Sequence, residues 1–304
     1  MRRRIACGKE IMENRMPAFI ENHTAMEQRN YTGSFCGFVL LNKETYNLQA
    51  LADRMKEQWG IEPYIAKTED LIVEGGQEGD WFDQLLKEED TAILTEPEIQ
   101  DNNLVFEIPG AMIVIGFVPE AVPDGEAERF AKNNETWKEA LEVTKEHKAH
   151  LMIAVLPGEK KPLDAGMDYV KIVSSALEDP SAVAVYTSGT VLEPKAYQNE
   201  VQNMKDGKLP IDNWLHFGFY QNEAGNNAYT IGMDAFGKDE LEILGSKRTP
   251  EELNAFLMRT AIHVLQDDLM LHEQTVYQDE DGTEIDIKRE DAVAVEGHSI
   301  QFAI

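Results

Sequence analysis

The chain has no long apolar segment. The longest apolar run, Ala111 to Val118, is long enough only for a strand, whereas a membrane-spanning helix needs roughly 18 or more apolar residues in succession. The first 30 residues also lack the apolar core that a secretory signal requires. We therefore expect neither a membrane partner nor export by the secretory route.

Cysteine is nearly absent, since Cys7 and Cys36 are the only two in 304 residues. Two cysteines are too few for a disulfide framework, and they do not form the C-x-x-C spacing used for metal or redox chemistry. A single disulfide between them stays compatible with the sequence. The cysteine content therefore favours a reducing cytoplasm. We expect no metal and no cofactor.

Basic residues are scarce relative to acidic ones. The chain contains 28 Lys and Arg against 56 Asp and Glu, which gives a net charge of −28. Such an excess of carboxylates repels phosphate backbones and anionic lipid headgroups, so nucleic acid and membrane surfaces are excluded as expected partners. A hydrophobic content of 42% nevertheless provides enough apolar mass for a folded core.

The acidity belongs to the part of the chain expected to fold. Residues 1–30 contain six basic and four acidic side chains, which leaves 22 basic and 52 acidic residues for the rest. We expect residues 1–30 to form a flexible leader, or to result from an upstream start codon. The remaining residues then have a net charge of −30.

Two stretches of the chain show the same order of a β-hairpin, a helix with a capping box and a strand. The first has the hairpin at residues 104–118 around Pro109-Gly110, the helix from Thr136 to about His150 and the strand at 151–156. The second has the hairpin at 228–244, the helix from Thr249 and the strand at 269–276.

Each hairpin is preceded by a β-rich run and an apolar pattern of helical spacing. Phe35 to Leu41 leads into a helix over 48–59 that ends at Gly60, and the strand at 151–156 leads into a helix around 167–177. The sequence thus predicts an α+β fold with two related halves of hairpin-helix-strand type, ferredoxin-like or similar. Its sheets are expected to be mixed or antiparallel, with helices on one face.

The expected halves span residues 31–156 and 151–304 and form one compact body. No low-complexity linker separates them, and the strand at 151–156 is expected to be shared. Asp281-Gly282, between alternating segments, predicts an added hairpin near the C-terminus.

Several short motifs resemble a bacterial family catalogued as domain of unknown function 4261. They are Tyr229-Thr230-Ile231-Gly232-Met233, Phe236-Gly237, Glu240-Leu241-Glu242-Ile243, Pro109-Gly110-Ala111-Met112, Trp137 and His147-Lys148-Ala149-His150. The resemblance covers roughly residues 35 to 277, and the Tyr-Thr-Ile-Gly segment is also similar to suppressor-of-fused-like proteins, some of which are immunity or interaction proteins. It implies no reaction and no catalytic residue.

Two histidines three residues apart form one candidate site. His147 and His150 have a spacing that can bring two imidazoles to one metal, but a zinc site needs further ligands, and the H-E-x-x-H pattern is absent. Packed histidines with hydrogen bonds in the interior are therefore the favoured interpretation.

The segment from 214 to 242 contains the other candidates. Glu240 and Glu242 share one face of a strand and could serve as acid and base if buried, although we expect an exposed face in so acidic a chain. An aromatic strand with His216 precedes them and is expected to belong to the core. Gly237 belongs to the loop of the hairpin and Gly232 to the alternating run that precedes it, and both are further candidates for binding.

Two functional hypotheses follow. The first is a non-enzymatic interaction module, in the manner of an immunity protein, whose acidic surface holds a basic protein partner. The second is an enzyme with a site built from loops near the Tyr229–Gly237 hairpin, using His147, His150, His216 and Glu240. Acidity that serves solubility alone is a third explanation of the charge.

Overall fold

Fourteen β-strands and seven α-helices make up the part of the chain that the computed structural model describes, which is residues 32–62, 98–100, 102–132, 134, 136–272, 276–279 and 282–304. The strands are β1 Phe35–Leu41, β2 Glu98–Gln100, β3 Asn103–Ile108, β4 Ala111–Val118, β5 Ala149–Pro157, β6 Ala182–Thr187, β7 Thr190–Leu192, β8 His216–Asn222, β9 Gly225–Ile231, β10 Glu240–Ser246, β11 Tyr277–Gln278, β12 Glu284–Ile285, β13 Ile287–Asp291 and β14 His298–Phe302. The helices are α1 Leu48–Trp59, α2 Glu126–Ala131, α3 Ala140–Glu146, α4 Pro162–Ala176, α5 Pro194–Lys205, α6 Ile211–Trp214 and α7 Pro250–Gln266. The predicted leader, residues 1–30, lies outside the described residues.

The strands form two main sheets. The first has seven antiparallel strands in the order β2-β3-β4-β5-β1-β6-β7. The second has five strands in the order β13-β14-β10-β9-β8, and only the pairing of β10 with β14 is parallel. Strands β11 and β12 pair separately. The predicted α+β class with mixed and antiparallel sheets is confirmed.

Helices cover both faces of the seven-stranded sheet, which differs from the single helical layer that we expected. On strand β1, Val39 and Leu41 pack into the main core with α1 and α4, while Phe38 and Leu40 point the other way. There they meet a smaller cluster contributed by α2 and α3. Because alternate residues of a strand face opposite sides, a strand that is apolar at every position requires a layer on each side.

One continuous core joins the two sheets. Leu151 of β5, Ile243 of β10 and Phe256 of α7 belong to the same cluster of buried apolar side chains. The five-stranded sheet packs α7 on its core side. The division at residues 151–156 remains a prediction. Strands β6 and β7, which follow it in sequence, belong to the first sheet. None of the helices in the described ranges is long and apolar enough to span a membrane.

One of the two predicted capping boxes is present and the other is wrong. The Thr249 hydroxyl accepts the Glu252 amide hydrogen, and the Glu252 carboxylate accepts that of Thr249. The Thr136 hydroxyl instead donates to the side-chain oxygen of Asn134, at 3.0 Å. Asn134 thus organises a turn here, and helix α3 begins only at Ala140.

The predicted strand at 269–276 is also wrong for the residues described there. Residues 269–272 are irregular, and β14 takes the place beside β10, with Leu241 opposite Ile300. The two-residue strands β11 and β12 do flank the predicted turn near Gly282, whose φ is +82°. The added hairpin therefore exists, but the strand that completes the sheet comes after it.

Candidate functional site

The β9–β10 hairpin contains the predicted residues that the structure brings together. Tyr229 pairs with Glu242 across the two strands, and a short 3₁₀ helix over Met233–Phe236 connects them. Gly232 begins this connection with a φ of +115°, and a Cβ atom there would stand 2.6 Å from the Trp214 carbonyl oxygen. The turn therefore requires glycine at this position. Gly237 ends the connection in the left-handed region and donates to the Asp234 carbonyl oxygen.

Glu240 is buried beside this turn, contrary to the exposed face that we expected. Its side chain accepts the hydroxyl proton of Thr230 at 2.7 Å. It also accepts the amide hydrogens of Gly232 at 2.7 Å and Met233 at 3.2 Å. The Thr230 hydroxyl oxygen in turn accepts the Leu241 amide hydrogen at 2.9 Å. The carboxylate therefore fixes the end of β9 and the start of the turn.

Glu242 is fully buried and holds the loop between β13 and β14. Its carboxylate accepts the amide hydrogens of Val293 at 3.0 Å and Ala294 at 2.7 Å. The Ser299 hydroxyl donates to it at 2.7 Å, and the Gln301 side-chain amide at 3.4 Å. These donors are neutral and lie 51 to 59 residues away in sequence. Glu242 is thus an acceptor that fastens a distant loop over the sheet.

The packing of that loop explains why Glu242 is buried. Ala294 and Val295 rest on Tyr229 and Ile231, on the face of the sheet opposite α7. Leu241 and Ile243, which alternate with the two glutamates, enter the main core. Glu242 is therefore covered by a loop whose backbone supplies the hydrogen bonds that a buried carboxylate requires, while the backbone of the β9–β10 turn does the same for Glu240.

This geometry defines what the paired carboxylates can do. A general acid or base must reach a substrate, but Glu240 is 3% exposed and Glu242 is 0% exposed. Their oxygens already accept hydrogen bonds from the protein. The arrangement therefore positions a turn and a loop and leaves the two side chains almost inaccessible to solvent.

His147 and His150 lie elsewhere, next to the seven-stranded sheet. His147 follows the end of α3, where Nε2 accepts the Val122 amide hydrogen at 2.8 Å and Nδ1 donates to the Thr144 carbonyl oxygen. His150 belongs to β5 and not to the helix end that we expected, and its Nδ1 donates to the Glu120 carbonyl oxygen at 2.9 Å.

Both rings are therefore engaged with the backbone in the interior. Burial lowers the pKa of His150 below its usual value, so the neutral ring is favoured. Within the described ranges, no group of three or more His, Cys, Asp and Glu side chains is placed to bind a metal ion.

His216 begins the aromatic strand β8 and pairs with Ile231, one residue before Gly232. Burial lowers its pKa to about 4, which favours the neutral imidazole at pH 7. His216, Gly232 and Glu240 thus share one end of the five-stranded sheet, whereas Gly237 lies at the far end of the turn and His147 and His150 belong to the first sheet.

Sequence reasoning missed the partners of the carboxylates. Thr230 and Ser299 are ordinary hydroxyl residues in sequence, and the contribution of Val293 and Ala294 is made by backbone amides. Nothing in residue type distinguishes an amide that binds a carboxylate. The available signal was the alternation of Glu240 and Glu242 with the apolar Leu241 and Ile243.

Comparison with known families identifies one segment. Residues 229–303 match the model of a domain of unknown function, DUF4261. The match extends from β9 to β14 and includes both buried glutamates and the loop that covers Glu242. No curated protein and no solved structure matches the chain. The segment shared with DUF4261 is thus the one built around the Glu240 and Glu242 carboxylates.

Proposed function

We propose that the protein is a non-enzymatic interaction module of the cytoplasm that holds a basic protein, in the manner of an immunity protein. The main support is the placement of charge in the DUF4261 segment. Residues 229–303 contain 17 acidic and six basic side chains. Glu240 and Glu242 are buried, and the other acidic side chains described in this segment are exposed or half-buried. The surface of this segment is therefore acidic.

An acidic surface of this kind favours association with a basic surface. Complementary charge accelerates encounter and disfavours partners of like charge. The attraction weakens as salt rises, because the screening length is only about 10 Å at 0.1 M ionic strength. The carboxylates placed for acid and base work are covered, so the same geometry gives the enzymatic alternative less support.

The test is a pull-down from native lysate with the full chain as bait at low and at moderate salt. We expect a basic protein to be recovered at low salt and to be reduced at moderate salt. Recovery of no basic protein at either salt contradicts the proposal. Purified protein should also show no thermal shift with metal ions or a small-molecule panel, and a reproducible shift would favour the enzymatic alternative.

Matched charge variants locate the surface. Neutralising three exposed acids of the DUF4261 segment should weaken capture, while neutralising three exposed acids near the first sheet should change it less. The first set is Glu284→Gln, Glu290→Gln and Glu296→Gln, and the control set is Glu44→Gln, Glu57→Gln and Glu142→Gln. Equal effects of the two sets would mean that net charge alone, and not this segment, attracts the partner.

A further inference from the structure

The outer strands of the two sheets differ in how their open edges are protected. Strand β13 presents four charged, exposed residues in succession, 288–291, which is a common protection against strand pairing. Strand β7 has three residues, and the Asn134 side chain donates to its Val191 carbonyl oxygen. Strand β2 also has only three residues. Short or charged strands offer little template for pairing with another chain.

Strand β8 has none of these protections. It is seven residues long and contains no charged residue and no proline. Its ladder with β9 runs without a bulge from the pair His216 and Ile231 to the pair Asn222 and Gly225. Within the described ranges, residues 216–222 make no backbone–backbone hydrogen bond outside that ladder. A long and uncharged edge of this kind is a ready template for an additional strand.

The register identifies the backbone groups that point to the open edge. Asn222 and Gly225 flank a two-residue turn, and a pair in that position exchanges both of its hydrogen bonds. Hydrogen-bonded and non-hydrogen-bonded pairs then alternate along the strands. The amides and carbonyls of Phe217, Phe219 and Gln221 are therefore the ones directed away from β9.

Aromatic side chains flank this edge on both faces of the sheet. Phe217 and Phe219 are half-buried against the main core. On the other face, the Tyr229 ring covers Gly218, where a Cβ atom would come within 2.1 Å of the ring, and the half-buried Tyr220 lies beside it. An added strand would thus find partly exposed aromatic surface for its alternate side chains.

The residues that flank β8 in sequence indicate the charge of a suitable partner. No Lys or Arg occurs from residue 209 to residue 237, whereas this stretch contains Asp212, Glu223 and Asp234. Asp212 precedes the strand, Glu223 follows it, and both are exposed. A second copy of the chain would bring the same acidic groups together, so charge complementarity favours a basic strand.

We infer that the open edge of β8 receives an extended, basic segment of a partner protein as a sixth strand of the sheet. This inference rests on the proposed function and adds the mode of binding: the acidic surface of residues 229–303 attracts the partner, and a strand of the partner pairs with β8, the edge of the same sheet beside β9 and opposite β13. Backbone hydrogen bonds then provide the affinity, and alternate side chains of the partner contact the aromatic residues. Basic side chains of the segment lie near Asp212 and Glu223.

The test uses a fluorescent ten-residue peptide of alternating lysine and valine as the probe. A peptide of alternating lysine and proline has the same charge, but it lacks the amide hydrogen at every second residue, and proline fixes φ at about −65°, away from the value of an antiparallel strand. We expect the valine peptide to bind the full chain at least about tenfold more tightly than the proline peptide, since it forms several backbone hydrogen bonds. Equal affinities would overturn the inference.

Gln221→Pro and Gln221→Ala form a matched pair of variants. Gln221 is exposed, and its amide points away from β9, so proline removes an edge donor without removing a hydrogen bond to β9. Gln221→Ala keeps that donor. We expect Gln221→Pro to weaken binding of the valine peptide about tenfold while Gln221→Ala binds as the wild type does. Equal melting temperatures of both variants verify that the fold is retained.

The remaining outcomes separate this inference from the proposed function. If both peptides bind in a salt-sensitive way and Gln221→Pro does not change their affinities, the protein is an interaction module that does not use the edge of β8. Failure of both peptides to bind, together with an empty pull-down, would reject both proposals. If the wild type forms a concentration-dependent dimer and Gln221→Pro is monomeric, a second copy of the chain occupies the edge. That result would overturn the inference of a basic partner.

Discussion

Removal of the Glu242 carboxylate should release the loop over 292–297. In Glu242→Ala, the Ala294 amide and the Ser299 hydroxyl lose an acceptor at 2.7 Å while both residues stay buried. An unsatisfied buried donor costs about 1 to 3 kcal/mol, so these two groups together cost roughly 4 kcal/mol. Undocking of the loop limits the loss, because the loop can open locally without unfolding the whole chain.

Hydrogen exchange measures this effect where it occurs. We expect the amides of Val293 and Ala294 to exchange up to about a thousandfold faster in Glu242→Ala, since 1.4 kcal/mol corresponds to a factor of ten. Glu240→Ala is the matched control and should accelerate exchange at Gly232 and Met233 instead. Unchanged protection of Val293 and Ala294 in Glu242→Ala would refute the assignment of this carboxylate as the anchor of the loop.

Three further predictions concern the free energy of unfolding: its dependence on pH, the contribution of His147 and the contribution of the helix caps. Because the pKa of His216 is about 4 in the folded protein and the usual value for histidine is 6.5, the unfolded state binds more protons below pH 6.5. The free energy of unfolding should fall by about 3 kcal/mol between pH 6.5 and 4. In His216→Phe this part of the pH dependence, measured by urea unfolding at each pH, should disappear. An unchanged pH dependence would contradict the assignment. His147→Ala removes the acceptor of the Val122 amide and should cost roughly 2 to 4 kcal/mol in the same assay, with chelators leaving the wild-type melting temperature unchanged. Thr249→Ala should cost about 1 kcal/mol, whereas Thr136→Ala should cost less because Thr136 caps no helix; equal losses would contradict this difference.

Local signals in the sequence predicted most of the elements correctly. The run from Phe35 to Leu41 and the hairpin around Pro109-Gly110 form as expected, because the information lies within each segment. Helix α1 ends at Gly60 in the left-handed conformation that its position predicted. Thr136 failed as a cap because Asn134, two residues earlier, bonds the same hydroxyl and two nearby amides. Two competing caps in one short stretch cannot be ranked by residue type alone.

Long-range pairings were the part that the sequence could not provide. The strand beside β10 comes from residues 298–302, and a nearer apolar stretch beginning at residue 269 was an equally plausible candidate by pattern. The burial of Glu242 could not be predicted from the sequence for the same reason, since its amide donors lie 51 and 52 residues away. The topology of the fold determines which distant backbone segment covers a carboxylate, and residue type does not predict it.

The parallel pairing of β10 with β14 has a consequence during protein synthesis. Ribosomes produce β8, β9 and β10 in succession, but β14 must leave the exit tunnel before Leu241 gains its neighbour Ile300. Until then the nascent chain has an open edge on β10 and a Glu242 carboxylate without the loop that later covers it. Sheets assembled from such distant segments form slowly and expose pairing edges meanwhile. In the interval between translation of β10 and of β14, the nascent chain therefore presents an unpaired strand edge next to an uncovered carboxylate.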